Sequence, residues 1–400
     1  MNRSDFSLLV NNKDIIYFDN GATTLKPKCV IDSIDDYYNN YSVNVHRGEY
    51  DLSFKADEIY NEARENVAKF INAKSNEIIF TSGTTDSINF VVDGFMKSYL
   101  HEGDEVLITY AEHASNVLPW FNLVNDIHIK VSYIPLDSNY HVTLDNVKKS
   151  ITKNTKVISL AGITNVIGDV RPIKEICILA HKNNILVLED GAQSVPHMKC
   201  DVKDSDVDFL CFSGHKMCGP TGIGVLYIKE SLEDKLKPVR LGGGMNESFD
   251  SPSDICLKDA PIRYEAGTPN IAGIIGLNSA VKYLSSIGMD KIHEHECMLK
   301  THLVKRLKEY KYIKLLNNIN DSGIVSFNID NIFSQDVGYY LNKYHICVRT
   351  GNHCAKILKY ETNVTQTVRV SLYFYNTIEE IDKLCDLLSD YDKIRKEMII

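Results

Sequence analysis

From Glu77 to Ile228 the chain alternates short apolar runs with longer stretches whose apolar residues recur at helical spacing. The runs are EIIF, EVLIT, KVISL, ILVLE, DFLCF and GIGVLYI, separated by segments such as TTDSINFVVDGFMKSYL and IKEICILAHKNN. This alternation predicts an α/β fold, a largely parallel sheet covered by helices. In such sheets ligands gather at the carboxyl ends of the strands, so the residues following each run carry the chemical information. After about Pro269 the texture changes. One long helical stretch, Ile271 to roughly Tyr310, leads into GIVSFNI, ICVRTG and VRVSLYF, then a charged amphipathic tail helix from Thr377. That pattern predicts a smaller α+β C-terminal domain over 276–400. The large domain is expected over 12–275, with the segment 1–11 joining the two.

Length and composition fit this division. Four hundred residues exceed a comfortable single core, and 44% hydrophobic with 24% charged residues is ordinary for a globular chain. A net charge of −9 argues against nucleic acid or an anionic membrane as a partner. No run approaches the roughly 20 apolar residues of a membrane helix. The opening MNRSDFSLLVNNKD lacks a signal-peptide pattern, so a cytoplasmic protein is expected. Ten cysteines without a C-x-x-C pair suit reduced thiols better than disulfides or a zinc site.

Four strand ends carry polar groups of complementary chemistry. EIIF is followed by Thr81-Ser82-Gly83-Thr84-Thr85, hydroxyls and a glycine where a helix begins, which reads as a phosphate cradle or a plain N-cap. EVLITY is followed by Ala111-Glu112-His113, a flat ring near a strand end. ILVLE is followed by Asp190-Gly191-Ala192-Gln193; an acid closing a buried strand needs a cationic or strong donor partner. DFLCF is followed by Ser213-Gly214-His215-Lys216 in a glycine-rich turn, where burial would lower the lysine's pKa and prepare it to bond an aldehyde. Phosphate cradle, ring, acid and lysine are together the parts that a pyridoxal 5′-phosphate (PLP) site requires.

In that light the sequence resembles the cysteine desulfurases of the class-V aminotransferase family, nearest the Suf-type group. The matching motifs run in order: YFDNGATT from Tyr17, VHRGEYDLS from Val45, FTSGTTDSIN from Phe80, AEHASNVLPW from Ala111 and TNVIGDVRPI from Thr164. They continue with EDGAQSVPH from Glu189, FSGHKMCGPTGIGVLY from Phe212, LGGG from Leu241, YEAGTPNIAG from Tyr264, VRTGNHCA from Val348 and VRVSLYFYNT from Val368. The resemblance implies a large PLP-binding domain with a mostly parallel seven-stranded sheet. It implies that Lys216 is the Schiff-base lysine, that Asp190 pairs with the pyridine nitrogen, that His113 stacks on the ring and that Gln193 bonds the phenolic oxygen. Thr84, Thr85, Ser213 and His215 would hold the phosphate. Gly267 and Thr268 would reach the neighbouring subunit's site in a homodimer. Arg369 would hold the carboxylate of the substrate L-cysteine with Asn165 nearby, and Arg349 and His46 would lie around the substrate or the catalytic loop.

The sulfur acceptor implied by the resemblance is Cys354, set among glycine and polar residues beside Arg349 and His353, which could raise its thiolate fraction. Cys177, Cys211, Cys347 and Cys385 sit in apolar patterns and read as filler. The product would be L-alanine, with a persulfide passed to an acceptor protein, plausibly for iron–sulfur cluster assembly. Selenocysteine lysis and cysteine-sulfinate desulfination are rival reactions on the same scaffold, and a non-catalytic scaffold protein is a rival of another class. Two positions depart from the family pattern: Asn352 replaces a histidine common before H-C-A, and Ala114 stands where a second histidine is frequent. No metal site is expected, because in His293-Glu294-His295-Glu296-Cys297 only His293 and Cys297 share a helix face; the segment reads as a solvated face.

Overall fold

The computed structural model describes residues 3–46, 48–316 and 321–398. Arg47 of the V-H-R-G motif and the first two residues of the N-terminal segment lie outside the described residues.

Seven strands form the large sheet: β1 (Ile78–Thr81), β2 (Glu105–Ile108), β3 (Lys130–Tyr133), β4 (Thr155–Ala161), β5 (Leu186–Asp190), β6 (Phe209–Ser213) and β7 (Gly224–Ile228). Their order is β1-β7-β6-β5-β4-β2-β3, and β7 alone runs antiparallel to its neighbours. Six of the seven coincide with the apolar runs. β3 was not among them because it is a sheet edge whose first residue, Lys130, is exposed and whose others are only half-buried; an edge strand needs no continuous apolar run. The central strands are apolar on both faces because helices cover both. Val187, Ile158 and Leu210 enter one core while their neighbours Leu188, Val157 and Cys211 enter the other.

Helix α1 (Thr84–Val91) starts directly after β1, and α2 (Ile173–His181) lies between β4 and β5. The long stretch after Pro269 is two helices rather than one. α3 (Ile271–Ile287) stops at Gly288, whose φ of 93° suits glycine, and α4 (Met289–Leu307) follows. α3 packs on the helices Lys28–Asn40 and Asp51–Phe70. A second sheet of four strands, in the order Ile313–Leu315, Ile324–Ile329, Thr367–Ser371, Arg349–Gly351, is antiparallel throughout and has its own apolar cluster. Phe6 from the N-terminal segment is fully buried between Tyr283 and the Phe374-Tyr375 pair.

The His293–Cys297 segment is not the solvated face expected. Glu296 is fully buried on α4, and its carboxylate meets His197 Nδ1 at 2.9 Å. His295 Nε2 lies 3.0 Å from the Asn376 carbonyl. The charged pattern arises because α4 faces polar partners on other segments, which spacing within one helix does not reveal.

One fully buried ion pair ties the loops beyond β2 and β4. Arg171 contacts Glu112 through Nη1 and donates to Thr109 Oγ1 through Nη2 at 2.8 Å. Glu112 also accepts from Asn116 Nδ2 at 2.9 Å and from the Ala161 N–H at 2.8 Å. Breaking such a pair leaves an uncompensated charge in the interior. Glu112→Gln is therefore expected to lower unfolding stability by about 3–5 kcal/mol, read as a shift in the urea midpoint. A midpoint equal to the wild type would contradict this.

Candidate active site

The carboxyl ends of β1, β2, β4, β5 and β6 open into a cavity of about 190 Å³. Its walls contain Thr84, Thr85, His113, Asn165, Asp190, Gln193, Ser213, His215, Lys216, Arg349 and Arg369, eleven of the fifteen residues expected at the site.

At the β1 end, Gly83 precedes α1 and has no side chain of its own to cap the helix. A Cβ on Gly224 would lie 2.4 Å from the Gly83 Cα, so glycine is required where these two backbones meet. Ser213 Oγ, arriving from β6, accepts from the Thr84 N–H at 2.7 Å and lies 2.7 Å from Thr84 Oγ1. Thr85 Oγ1 meets Ser115 Oγ at 2.6 Å. These hydroxyls at a helix N-terminus make a pocket suited to a phosphate.

His113 Nδ1 accepts from the Ser115 N–H at 3.2 Å, which leaves the ring proton on Nε2. Burial first, then the Lys216 charge, pushes its pKa down to about 4, so the ring is neutral. Asp190 closes β5. Its Oδ1 accepts only the Ala192 N–H at 3.0 Å, and among the described residues no cation pairs with it. Burial pushes its carboxyl up to about 6, with Lys216 pulling the other way. Gln193 donates through Nε2 to the Gly21 carbonyl at 2.8 Å.

Lys216 sits in a single 3-10 turn, Gly214–Lys216, after β6. It is half-buried and lines the cavity, and burial lowers its amine to about 8; Asp190 opposes the shift, while Arg369 and Arg349 add to it. Arg369, on the second sheet, is 1% exposed; Nη1 donates to the Asn165 carbonyl at 2.9 Å and Nη2 meets Asp19 Oδ1 at 3.1 Å. Asn165 Oδ1, Gln193 Oε1, His353 Nδ1 and Arg369 Nε are buried without a hydrogen-bond partner. Four such atoms on the walls of one cavity mark it as built for a polar occupant.

Four expected residues, Cys354, His46, Gly267 and Thr268, are elsewhere. Cys354 is exposed and outside the cavity lining, although its segment forms the wall: the Ala114 N–H donates to the Cys354 carbonyl at 2.8 Å, and Asn165 Nδ2 donates to the His353 carbonyl at 2.8 Å. Asn352, one of the two departures, accepts the Cys354 N–H on Oδ1 at 3.1 Å. His46 and Thr268 share a separate surface region, where Asn44 Nδ2 reaches Thr268 Oγ1 at 3.4 Å and His46 pairs with Asp57. The sequence pattern assigns no role to Asp19 or Gly21. Asp19 and Gly21 lie in the quoted YFDNGATT motif, yet only the return of Arg369 from 350 positions later shows what they do.

Residues 16–384 match the aminotransferase class-V family. The chain belongs to that family. Among similar class-V proteins is a probable cysteine desulfurase of Halalkalibacterium halodurans, 43% identical over 94% of this chain and 92% of its own. A cysteine desulfurase of Thermococcus onnurineus superposes with a TM-score of 0.93 at 36% identity, covering 98% of this chain and 97% of its own. A cysteine desulfurase of Escherichia coli, solved in an S-sulfonic acid form, gives 0.92 at 32% identity over 99% and 98%. The α/β architecture of this class-V chain is that expected from its strand pattern.

Only the neutral amine of Lys216 is nucleophilic. Its reductive methylation by formaldehyde, mapped by mass spectrometry, should therefore rise with pH and level off above a midpoint near 8. A midpoint near the ordinary 10.5 would show that the burial does not act as described.

Proposed function

We propose that this protein is a PLP-dependent cysteine desulfurase of the Suf type, converting L-cysteine to L-alanine with a persulfide on Cys354. The observation carrying this reading is one cavity that joins Lys216, with its amine lowered to about 8, to the cation-free buried carboxyl of Asp190. The residues present fit the cofactor. Asp190 lacks the positive partner that a protonated pyridine nitrogen would provide. The Thr84, Thr85, Ser213 and His215 cluster suits the phosphate, and the second Nε2 hydrogen of Gln193 is free for a phenolic oxygen. When bound, PLP supplies the electron sink that no protein side chain offers.

The protein's own groups do the rest. Lys216 would hold the cofactor aldehyde, and its amine would move the proton at the substrate Cα. The neutral ring of His113, on the cavity wall, would pack against the cofactor. Arg369 binds the substrate carboxylate through its fork, with Asn165 and Arg349 beside it. Cys354 Sγ bonds to the substrate sulfur as the substrate's C–S bond breaks; its proton balance leaves an enzyme S–SH and the methyl of L-alanine. The exposed position of Cys354 suits delivery of the sulfur to an acceptor protein.

The same reading makes the protein a cytoplasmic homodimer. The exposed Thr268 segment, lying with His46 apart from the cavity of its own chain, supports a role at the neighbour's site. No described helix is long and apolar enough to cross a membrane. The same reading divides the chain into a large domain over 12–275 and a small one over 276–400, joined by the segment 1–11, with the large core continuing into α3 and on to Ile292.

Lys216→Ala is expected to lose the visible absorbance of the bound cofactor and all turnover; retained turnover would remove it from the reaction. Cys354→Ala should still bind PLP and respond spectrally to L-cysteine, yet carry no persulfide by mass spectrometry and release little alanine. Added sulfur mapping to Cys347 or Cys218 would overturn the acceptor assignment.

A further inference from the structure

We propose that Lys26 is a positioning residue, its ammonium joining Thr23 and Thr24 in a clamp on the carbonyl of His215, immediately before Lys216. The inference rests on the reading of Lys216 as the cofactor lysine. Lys26 Nζ donates to the His215 carbonyl at 3.1 Å across 189 positions of sequence, to Thr23 Oγ1 at 3.0 Å and to the Thr24 carbonyl. The same His215 oxygen accepts from the Thr24 N–H at 3.0 Å, from Thr23 Oγ1 at 3.0 Å and from Thr24 Oγ1 at 3.2 Å. Thr24 Oγ1 in turn accepts the Cys218 N–H at 2.8 Å. The backbone is thus held on both sides of Lys216 by one short segment of the N-terminal region.

The turn needs outside support. Gly214–Lys216 is one 3-10 turn, a form with poor hydrogen-bond geometry, and the chain beyond it is glycine-rich. Lys26 is half-buried, and among the described residues no carboxylate pairs with it. A lysine so placed is costly unless its three donors find oxygens, and here all three do. Its bond to the His215 carbonyl is charge-assisted and stronger than a neutral one. Burial lowers its amine to about 8, which leaves it cationic at neutral pH. Lys26 does not line the cavity, so it acts through the turn and touches neither cofactor nor substrate.

The test compares the PLP-loaded wild type with Lys26→Met and Thr23→Val, reading kcat, KM for L-cysteine and the visible circular dichroism of the cofactor. Misplacing Lys216 should lower kcat about tenfold or more in Lys26→Met and weaken the cofactor's dichroic band. KM should stay within about twofold, because Arg369 and Asn165 are untouched. Thr23→Val should show the same pattern with a smaller loss. Wild-type kcat and dichroism in Lys26→Met, or a raised KM at unchanged kcat, would overturn the clamp. Should Lys26→Met fail to fold, Thr23→Val decides: unchanged kcat and dichroism overturn the clamp, and a fall in both at constant KM supports it. A wild type that acquires no chromophore with PLP overturns the reading of Lys216, and the clamp with it.

Discussion

The buried pair of Glu112 and Arg171 is the interaction on which the site's geometry depends. Parallel strands deliver their loops to one end of the sheet, but they do not fix where those loops sit relative to each other. Glu112 lies one residue before His113, and Arg171 closes the loop that begins near Asn165. By accepting the Ala161 N–H and the Asn116 amide as well, Glu112 joins the end of β4 to the segment that carries His113. Two charges taken out of water contribute little net stability together, yet removing either one is costly. Such a pair fixes one arrangement of the loops more than it strengthens the fold.

The cavity behind this pair is electrostatically unfinished. Lys216, Arg349 and Arg369 bring positive charge to one wall, and each contributes to keeping His113 neutral. Asp190 faces Lys216 without an ion pair, while Asp19 is held to Arg369 at 3.1 Å. Burial raises the carboxyl of Asp19 even so, against the attraction of Arg369. Perturbed groups of both signs gathered in a cleft are characteristic of sites built for chemistry. The second sheet and the loop after it supply Arg349, Arg369 and His353, the N-terminal segment supplies Gly21, and the first sheet's strand ends supply Lys216, Asp190 and His113, so the site exists only where the two sheets meet.

The Cys354 segment adds a conformational constraint. His353 and Cys354 both adopt left-handed backbone, with φ of 52° and 59°, next to Gly351 at 113°. Two consecutive non-glycine residues in this region store strain that surrounding bonds must offset. Those bonds come from Ala114, Asn165, Asn352 and Thr367. Both departures from the family pattern therefore touch the backbone of Cys354, which ties them to how this segment is held.

Much of the fold is legible in the amino-acid pattern. Six strands announced themselves because a strand covered on both faces must be apolar throughout, and the polar residues after them stood out against that background. Lys216, Asp190 and His113 could be read for the same reason. The edge strand β3 could not, since an exposed edge imposes no such pattern, and the break at Gly288 was hidden inside an unbroken helical periodicity. Glu296 looked solvated because its partner, His197, is 99 positions away. Lys26 and Asp19 meet their partners across 189 and 350 positions. The sequence by itself determined the local elements and the kind of chemistry at each strand end, because burial and backbone geometry act over a few neighbouring residues. Only the tertiary structure decided which of those groups share a cavity, which lie on a distant surface and which merely hold others in place, because hydrogen bonds and ion pairs depend on distance in space.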